Sequence, residues 1–457
     1  MDSTRRKVFA AAGRVPGAHP VLGHLPQLRE QAREFLVGLA QYGKVAVIRV
    51  GLDPVVIVND RDLAHEVLVG GAGNYVKGVQ FEKAARFFGH GLATHPGGPG
   101  HLRQRRLLQP AFRHERLQEY STSMLRIIEE ENGSWRDGQR IRVYEQMYGL
   151  TLAVLGNTLF STPLGEDAAR ELTRSMPVII SGTQRRILSF LPTMGWIPTT
   201  ENIRFARARV RLRTACTEVI EEYRHDGVDR QDILSTLLFG SDGDTGHHFT
   251  DAEVYDQIMT LVVGATETTA VTLSWAFFLL ANHPGVEARL HRELDQVLAG
   301  RLPRPGDLAR LPFLTQVLTE TLRLFPSLLV ITRRSAASVD LAGMRLPAGT
   351  SVWVNSCAIH HDPSVYPEPQ VFDPARWAPD RREAVPRNAY LPFGAGNRKC
   401  IGDNFAVLEA SLALATLASS WQITPPARHG DVRYSAGTTT VPMNLPMTLT
   451  RRTRTTP

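Results

Sequence analysis

One helical stretch, between Thr250 and Asn282, constrains the fold of this chain more than any other feature. Its first residues, TDAE, fit a capping box, in which a threonine and a glutamate three residues later satisfy free backbone amides. The helical pattern ends before Pro284. About 30 residues at a rise of 1.5 Å each give a helix of roughly 45 Å, the width of a whole domain. Because the stretch is apolar on nearly all sides, we expect it to run buried through the middle of the protein.

The remaining pattern predicts a mainly helical protein with small β-sheets. The stretch KVAVIRVGLDPVVIVND alternates around a turn at 51–54 and predicts a β-hairpin. Helical periodicity dominates from His101 to about Leu238, whereas the glycine-punctuated residues 71–100 predict a long irregular connection. We see no repeat or linker, so we expect one domain over residues 1–457, with a flexible N-terminal segment at about 1–15. Further helices are predicted at Arg61–Val69, Leu311–Phe325 and Asn404–Ser420, and strands at Val339–Leu346 and Ser351–Asn355.

Composition narrows the class of protein. The 457 residues carry 52 Lys plus Arg and 45 Asp plus Glu, a mild net charge of +7 with no long basic run, so we expect no nucleic-acid partner. The N-terminal apolar run is too short for a signal peptide, and no stretch of 18 residues stays apolar without interruption. We therefore expect no membrane anchor. The 3 cysteines are far apart, which favours a reducing compartment and a cytoplasmic location.

One of those cysteines, Cys400, stands in the stretch LPFGAGNRKCIG, between a glycine-rich turn and a predicted helix. Gly394 and Gly396 allow positive φ, so backbone amides can point at the sulfur, and Arg398 adds positive charge. These features favour a thiolate, which is either a nucleophile or a metal ligand. A zinc site would need further Cys or His at short spacing, and none is near. A single thiolate suits the axial position of a haem, whose porphyrin supplies the other four ligands.

The same stretch resembles the haem-binding signature of the cytochrome P450 superfamily, F-G-x-G-x-R-x-C-x-G, from Phe393 to Gly402. The pair Glu320 and Arg323, in E-x-x-R, together with Arg376 in FDPARW, resembles the structural Glu-Arg-Arg network of that family. The stretch GATETT, at 264–269, resembles its oxygen-activating motif, with Ala265 where a second glycine is usual. The resemblance covers about residues 14–450 and implies the α-rich triangular prism of the family, with haem between the long helix and the cysteine loop.

The resemblance also implies roles for individual residues. Thr268 and Glu267 are the catalytic pair that guides protons, and Cys400 is the iron ligand. Haem contacts are expected from His101, Arg105, Ala265, Arg333, Phe393 and Arg398, the positively charged ones and His101 at the propionates. A mostly apolar substrate pocket is expected from Phe81, Phe87, Phe88, Leu92, Ile258, Leu261, Val262, Leu328, Leu329, Val330, Thr438 and Thr439.

The implied function is that of a haem b monooxygenase that oxidises a lipophilic small molecule, such as a terpenoid or a polyketide-like metabolite. It would use O2 and two electrons. Without a fused reductase domain, we expect the electrons from a ferredoxin and its reductase, which basic residues near Cys400 such as Lys399 would attract. We expect a monomer. Two other functions remain open: a thiolate-haem isomerase or dehydratase, and a haem-dependent ligand-binding protein.

Overall fold

The computed structural model describes residues 12–188, 197–243, 245–425, 439–443 and 445–453. Helices make up most of this part of the chain. In chain order they are α1 Leu25–Glu30, α2 Ala32–Gly38, α3 Arg61–His65, α4 Val79–Phe88, α5 Gly98–Leu108, α6 His114–Ser134, α7 Val143–Leu159, α8 Pro163–Leu188, α9 Thr200–Asp226, α10 Ile233–Phe239, α11 Asp251–Asn282, α12 Pro284–Leu298, α13 Pro312–Leu324, α14 Ser356–His360, α15 Pro379–Arg382 and α16 Asp403–Ser420. A π-helical turn, Glu66–Gly70, follows α3 directly.

The central element is α11, as the sequence predicts. Thr250 caps it: its hydroxyl accepts the Glu253 backbone N–H at 3.3 Å, while the Glu253 carboxylate accepts the Thr250 N–H at 3.0 Å. Both bonds of the predicted capping box are therefore present. The helix packs against α7, α13 and α16, and 72% of its most apolar window is buried inside the protein. Within the described residues it is also the one helix long and apolar enough to cross a membrane.

Three small sheets flank the helices. Their strands are β1 Gly13–Arg14, β2 Val45–Val50, β3 Asp53–Val58, β4 Tyr75–Lys77, β5 Arg140–Arg142, β6 Ile331–Ser335, β7 Val339–Leu341, β8 Met344–Leu346, β9 Ser351–Val354, β10 Trp421–Thr424 and β11 Pro446–Arg451. The largest sheet has the order β1-β2-β3-β9-β6-β4, and the others are β10-β11-β5 and β7-β8. β2 and β3 form the predicted hairpin, in which Val45 pairs with Val58. β4 and β6 bring residues 75–77 beside residues 333–335, which matters for the site below.

The structure corrects the sequence analysis in several places. Residues 71–100 hold β4, all of α4 and the start of α5, so they are not an irregular connection. Gly78 and Gly89 flank α4, which buries Ala85 and Phe88. Because glycines stand on both sides of this short helix, its helical periodicity was not recognised in the sequence. The stretch 339–346 is a hairpin, β7 and β8, rather than one strand. Residues 1–11 of the expected flexible segment lie outside the described residues, whereas Gly13 and Arg14 pair in parallel with Ala46 and Val47.

Candidate active site

The backbone shapes the cysteine loop. Gly394 and Gly396 have φ of 71° and 73°, in the left-handed region that favours glycine. The Cys400 N–H donates to the Phe393 carbonyl at 2.9 Å, which closes the loop. A Cβ at Gly396 would lie 2.2 Å from the Leu68 carbonyl oxygen, so a side chain at 396 has no room. The loop is therefore held in one shape by main-chain contacts.

Opposing influences act on the pKa of the Cys400 thiol. The residue is solvent-accessible, yet so much protein surrounds its sulfur that burial raises the pKa of the thiol. The Gly402 backbone N–H, Arg105 and Lys399 act in the opposite direction, as the sequence analysis expects of amides and nearby cations. Burial outweighs them, and the guanidinium expected to help, that of Arg398, is not among the groups that lower this pKa. A positive partner such as a metal ion would favour the thiolate at this position.

The central helix also has an accessible patch. Gly264 is exposed, and Ala265 and Thr268 are half-buried, although Val262, Thr266 and Glu267 beside them on α11 are buried. The Thr268 hydroxyl donates to the Gly264 carbonyl at 2.7 Å, a back-bond to the preceding turn. The next residue in the motif, Glu267, is only 7% exposed. Small residues and one hydroxyl therefore line an open space in an otherwise packed helix.

Glu267 has an unusual environment for a carboxyl group. Burial raises its pKa, and no described cation forms an ion pair with it. Its hydrogen-bond partner is the hydroxyl of Thr439. From the sequence, Thr439 was expected in the substrate pocket, whereas in the structure its hydroxyl contacts Glu267. Thr438 lies outside the described residues.

Four cations meet where β4 and β6 pair and the cysteine loop begins: Lys77, Arg105, Arg333 and Arg398. Lys77 was missed from the sequence. Its ammonium donates to the Leu92 carbonyl at 2.9 Å, and burial, followed by the charges of Arg398, Arg333 and Arg105, lowers its pKa to about 7. Burial and Arg398 likewise lower the pKa of Arg333 to about 10. No described carboxylate pairs with any of the four. Such a cluster calls for an anion.

The cluster fits the two carboxylates of a haem. One terminal nitrogen of Arg398, Nη1, is buried without any partner in the described part of the protein, while Nη2 donates to the Tyr75 carbonyl at 3.3 Å. Arg105 donates to the Lys399 carbonyl at 2.7 Å and so joins α5 to the cysteine loop.

His101 is 3% exposed, and its burial, followed by the charge of Lys77, lowers its pKa to about 3. It is therefore a neutral ring beside the cations, able to donate one hydrogen bond.

A buried network supports the loop from behind. Arg323 donates to both oxygens of Glu320, at 2.7 and 2.8 Å, and both residues are fully buried. Arg376 donates to Glu320 at 3.4 Å, so the structure brings the three predicted residues together. Trp377 adds a bond of 2.7 Å to the same carboxylate. Trp377 directly follows Arg376 in FDPARW, so it was part of the quoted motif, but its bond to Glu320 was not predicted.

His360 joins this network to the cysteine loop. Its carbonyl accepts a bond of 2.9 Å from Arg323, and its Nε2 accepts the backbone N–H of Leu391 at 2.8 Å. Burial lowers the pKa of His360 to about 3, so the ring is neutral and can accept this bond. His360 therefore has a structural role, since its ring and its carbonyl both bind the protein itself.

Several of the expected pocket residues lie in α4, shortly after it, or on α11. Phe88 and Leu92 are buried beside the first half of α11, where the Leu92 N–H donates to the Gln257 side chain at 2.9 Å. Ile258, Leu261 and Val262 are buried on that half of α11. Phe87 contacts Phe205 edge-on, and Phe81 lies 5.3 Å from the Lys77 ammonium.

The segment after α13 divides its residues between two environments. Leu328 is 39% exposed. Leu329 is buried with Cys357 and residues of β3 in the cluster between the large sheet and α2, and Val330 packs against that cluster. The contacts of Leu329 and Val330 are thus those of core residues, and their part in a pocket stays a prediction. The preceding residue, Ser327, donates to the Thr268 carbonyl at 3.0 Å and ties the segment to α11.

Comparisons with known proteins agree with this geometry. The family model described as Cytochrome P450 matches residues 14–443. Cyclooctatin synthase of Streptomyces melanosporofaciens is 39% identical over 90% of this chain and 89% of its own length. Pentalenene oxygenase of Streptomyces avermitilis is 39% identical over 97% and 98%. Cyclooctat-9-en-7-ol 5-monooxygenase of Streptomyces melanosporofaciens is 38% identical over 90% of both.

A solved structure supports the fold. The crystal structure of the cytochrome P450DA heme domain superposes with a TM-score of 0.86, covers 97% of this chain and 98% of its own, and is 24% identical. This likeness shows the fold alone, whereas the family match and the relatives show the enzyme class. The protein is an oxidoreductase with haem iron, and it uses O2, a redox partner and a lipophilic substrate. The cysteine loop, the accessible patch on α11 and these matches lead to one conclusion: the chain belongs to the cytochrome P450 family of monooxygenases.

Proposed function

We propose that this chain hydroxylates a terpenoid, with haem b bound through Cys400 and electrons delivered by a ferredoxin and its reductase. One observation carries the substrate class: relatives matched over most of both chains are named for pentalenene and for cyclooctat-9-en-7-ol. These names denote an alkene and an unsaturated alcohol. The buried apolar residues beside α11 suit such ligands, which offer few groups for hydrogen bonding.

The residues have distinct tasks in this proposal. Cys400 would supply a thiolate ligand to the iron, and Lys77, Arg333, Arg398 and His101 would hold the propionates. When bound, the haem supplies the activation of O2 and the insertion of one oxygen atom into a C–H bond. Phe88, Leu92 and Ile258 belong to the apolar wall that orients the hydrocarbon and excludes water. Thr268 directs a proton on the accessible face of α11, and Glu267 exchanges protons from behind it.

The partner and setting complete the proposal. Lys399 is about half exposed next to Cys400, so an acidic ferredoxin can approach the cysteine face through it. We propose a cytoplasmic monomer that works as one domain. Charge reversal, Lys399→Glu, should slow reduction by ferredoxin at low salt and have little effect at high salt, where the attraction is screened. Unchanged reduction at low salt would contradict this docking site.

A screen of terpenoids tests the substrate class. Compounds that displace water from ferric iron change its spin state, and this change is read in the absorption spectrum before any turnover. The best compound is then incubated with ferredoxin, its reductase and NADPH under air. We expect reductant consumption only with the compound, and a product heavier by one oxygen. A product of unchanged mass without reductant would instead identify an isomerase, and binding with no product would identify a ligand-binding protein.

A further inference from the structure

The carboxyl of Glu267 is held by a single described group, the hydroxyl of Thr439. Thr439 Oγ1 donates to Glu267 Oε1, and each of the two residues is 7% exposed. The two residues are far apart in sequence, one on α11 and the other seven residues before β11. A buried carboxyl without a cationic partner is costly to ionise, so one hydrogen bond has a large effect on its orientation and its charge.

Among the described residues, no other side chain donates a hydrogen bond to Glu267. The other titratable groups that face it are Tyr144 and Tyr148, both on α7. Burial, followed by the charge of Glu267, raises the pKa of Tyr148 to about 12, and the same causes raise that of Tyr144. Neither phenol therefore brings a positive charge. Among the described residues, only the Thr439 hydroxyl favours the ionised carboxylate.

The backbone beside Thr439 is firmly fixed. The Thr440 carbonyl accepts the indole N–H of Trp275, on α11, at 2.9 Å. The Thr440 N–H donates to the Ser327 carbonyl at 3.2 Å, and the Ser327 hydroxyl donates to the Thr268 carbonyl at 3.0 Å. Both residues of the catalytic pair are thus contacted by one strap, which consists of Ser327, Thr439 and Thr440. The strap places the Thr439 hydroxyl against the carboxyl without relying on the substrate.

We propose that Thr439 is a positioning residue for proton delivery: its hydroxyl fixes the Glu267 carboxyl through Oε1 and leaves Oε2 to exchange protons. This inference rests on the proposed role of Glu267. It gives Thr439 a different task from the one predicted by the sequence, since the hydroxyl acts through the carboxyl group rather than by contact with the substrate. The test therefore needs one readout of the carboxyl itself and one of the reaction.

The test compares Thr439→Val, Thr439→Ser and Glu267→Gln in the haem-loaded protein. Valine keeps the shape of threonine and removes the donor, whereas serine keeps the donor. Infrared spectra of the ferric, substrate-free proteins, each subtracted from that of E267Q, isolate the carboxyl band of Glu267. In T439V we expect the C=O band of the protonated acid at higher frequency and persisting to higher pH, because the lost donor stabilised the carboxylate. T439S should restore the wild-type band.

The second readout is the amount of product formed per NADPH consumed, with the terpenoid that gives the largest spin-state change in the screen. T439V should lower this ratio roughly tenfold, the effect of one hydrogen bond to a charged group, with T439S within about twofold of wild type. Substrate affinity, read from the spin-state titration, should stay within about twofold in all three variants.

The outcomes separate this inference from the proposed function. An E267Q variant with a low product ratio, beside a T439V variant with the wild-type ratio and infrared band, would overturn the positioning role and leave that of Glu267 intact. Weaker substrate binding in T439V at an unchanged product ratio would overturn it in favour of substrate contact. An E267Q variant that keeps the wild-type ratio would show that Glu267 does not deliver protons, and the positioning role would fall with it.

Discussion

The guanidinium of Arg323 and the carboxylate of Glu320 form two hydrogen bonds, of 2.7 and 2.8 Å, in a place with no solvent access. Arg323 also donates to the His360 carbonyl at 2.9 Å, and the His360 ring accepts the Leu391 N–H at 2.8 Å. Leu391 precedes Phe393 and the cysteine loop. Only one residue, His360, therefore connects a buried pair in α13 to the segment that carries Cys400, the proposed iron ligand.

Glu320→Ala should lower the free energy of unfolding by about 3–5 kcal/mol, because it leaves two buried guanidiniums without their shared partner. The purified variant should also contain little haem. Urea unfolding and the haem-to-protein ratio measure the two effects. Glu82→Ala, which removes the exposed partner of Arg334, is the matched control and should cost only about 0–1 kcal/mol. A Glu320 variant as stable as this control would contradict the network's structural role.

Cys400→Ser should abolish the red-shifted absorption band of the reduced carbon-monoxide complex, since a serine oxygen does not give the thiolate ligand. Any haem that remains bound should show the spectrum of another axial ligand. Cys357→Ala is the control, because Cys357 is buried in the cluster between the sheet and α2 and should leave the band unchanged. Retention of the red-shifted band in the Cys400 variant would refute the assignment of the iron ligand.

Haem retention should depend on pH through Lys77. Its pKa of about 7, lowered by burial and three guanidiniums, should rise when propionates bind beside it. Haem binding then takes up a proton above about pH 7, so affinity is full below that pH and falls as the pH rises towards the pKa of the loaded protein. Transfer of haem to excess apomyoglobin should accordingly become faster between about pH 7 and pH 9.

Lys77→Met separates this effect from general instability. At about pH 6 the variant should lose haem roughly tenfold faster or more, the cost of one hydrogen bond to a charged group, and its rate should vary little with pH. Lys83→Met makes the same change at an exposed lysine on α4 and should behave as wild type. A steep pH dependence that survives in the Lys77 variant would show that another group is responsible.

Thr268→Val should uncouple the reaction, because the hydroxyl on the accessible face of α11 is lost while the volume is kept. Product per NADPH should fall by about 10²-fold, the lower end of what a positioned proton donor contributes, and hydrogen peroxide should appear instead. Thr268→Ser keeps the hydroxyl and should stay near wild type. Equal product ratios in the valine and serine variants would exclude a role for this hydroxyl.

The sequence predicted the elements whose causes are local. The long helix follows from its apolar period, and its first residue follows from the reciprocal bonds of Thr250 and Glu253. The turn of the cysteine loop follows from Gly394 and Gly396, which both have positive φ. By contrast, α4 was missed, because its amphipathic period is short and glycines precede and follow it.

The contacts that could not be predicted from the sequence are those between distant segments of the chain. Lys77 belongs to no recognisable motif. It lies near Arg333 and Arg398 because β4 pairs with β6, and no local sequence pattern predicts that pairing. Thr439 was expected to touch the substrate, and its bond to Glu267 depends on how the chain beside β11 packs on α11. For Cys400 the loop amides were foreseen, but the burial that raises the pKa of the thiol depends on contacts between distant segments.

Because Gly396 lies so close to the Leu68 carbonyl, positions 396 and 68 differ in which substitutions they tolerate. The contact belongs to the main chain of residue 68, so a different side chain there leaves the carbonyl where it is. Any side chain at 396 must displace either that carbonyl or the loop. Because Leu68 is buried in the core, libraries that randomise both positions should recover other apolar residues at 68 but glycine alone at 396. The chain around the proposed iron ligand can therefore be varied at residue 68 and not at residue 396.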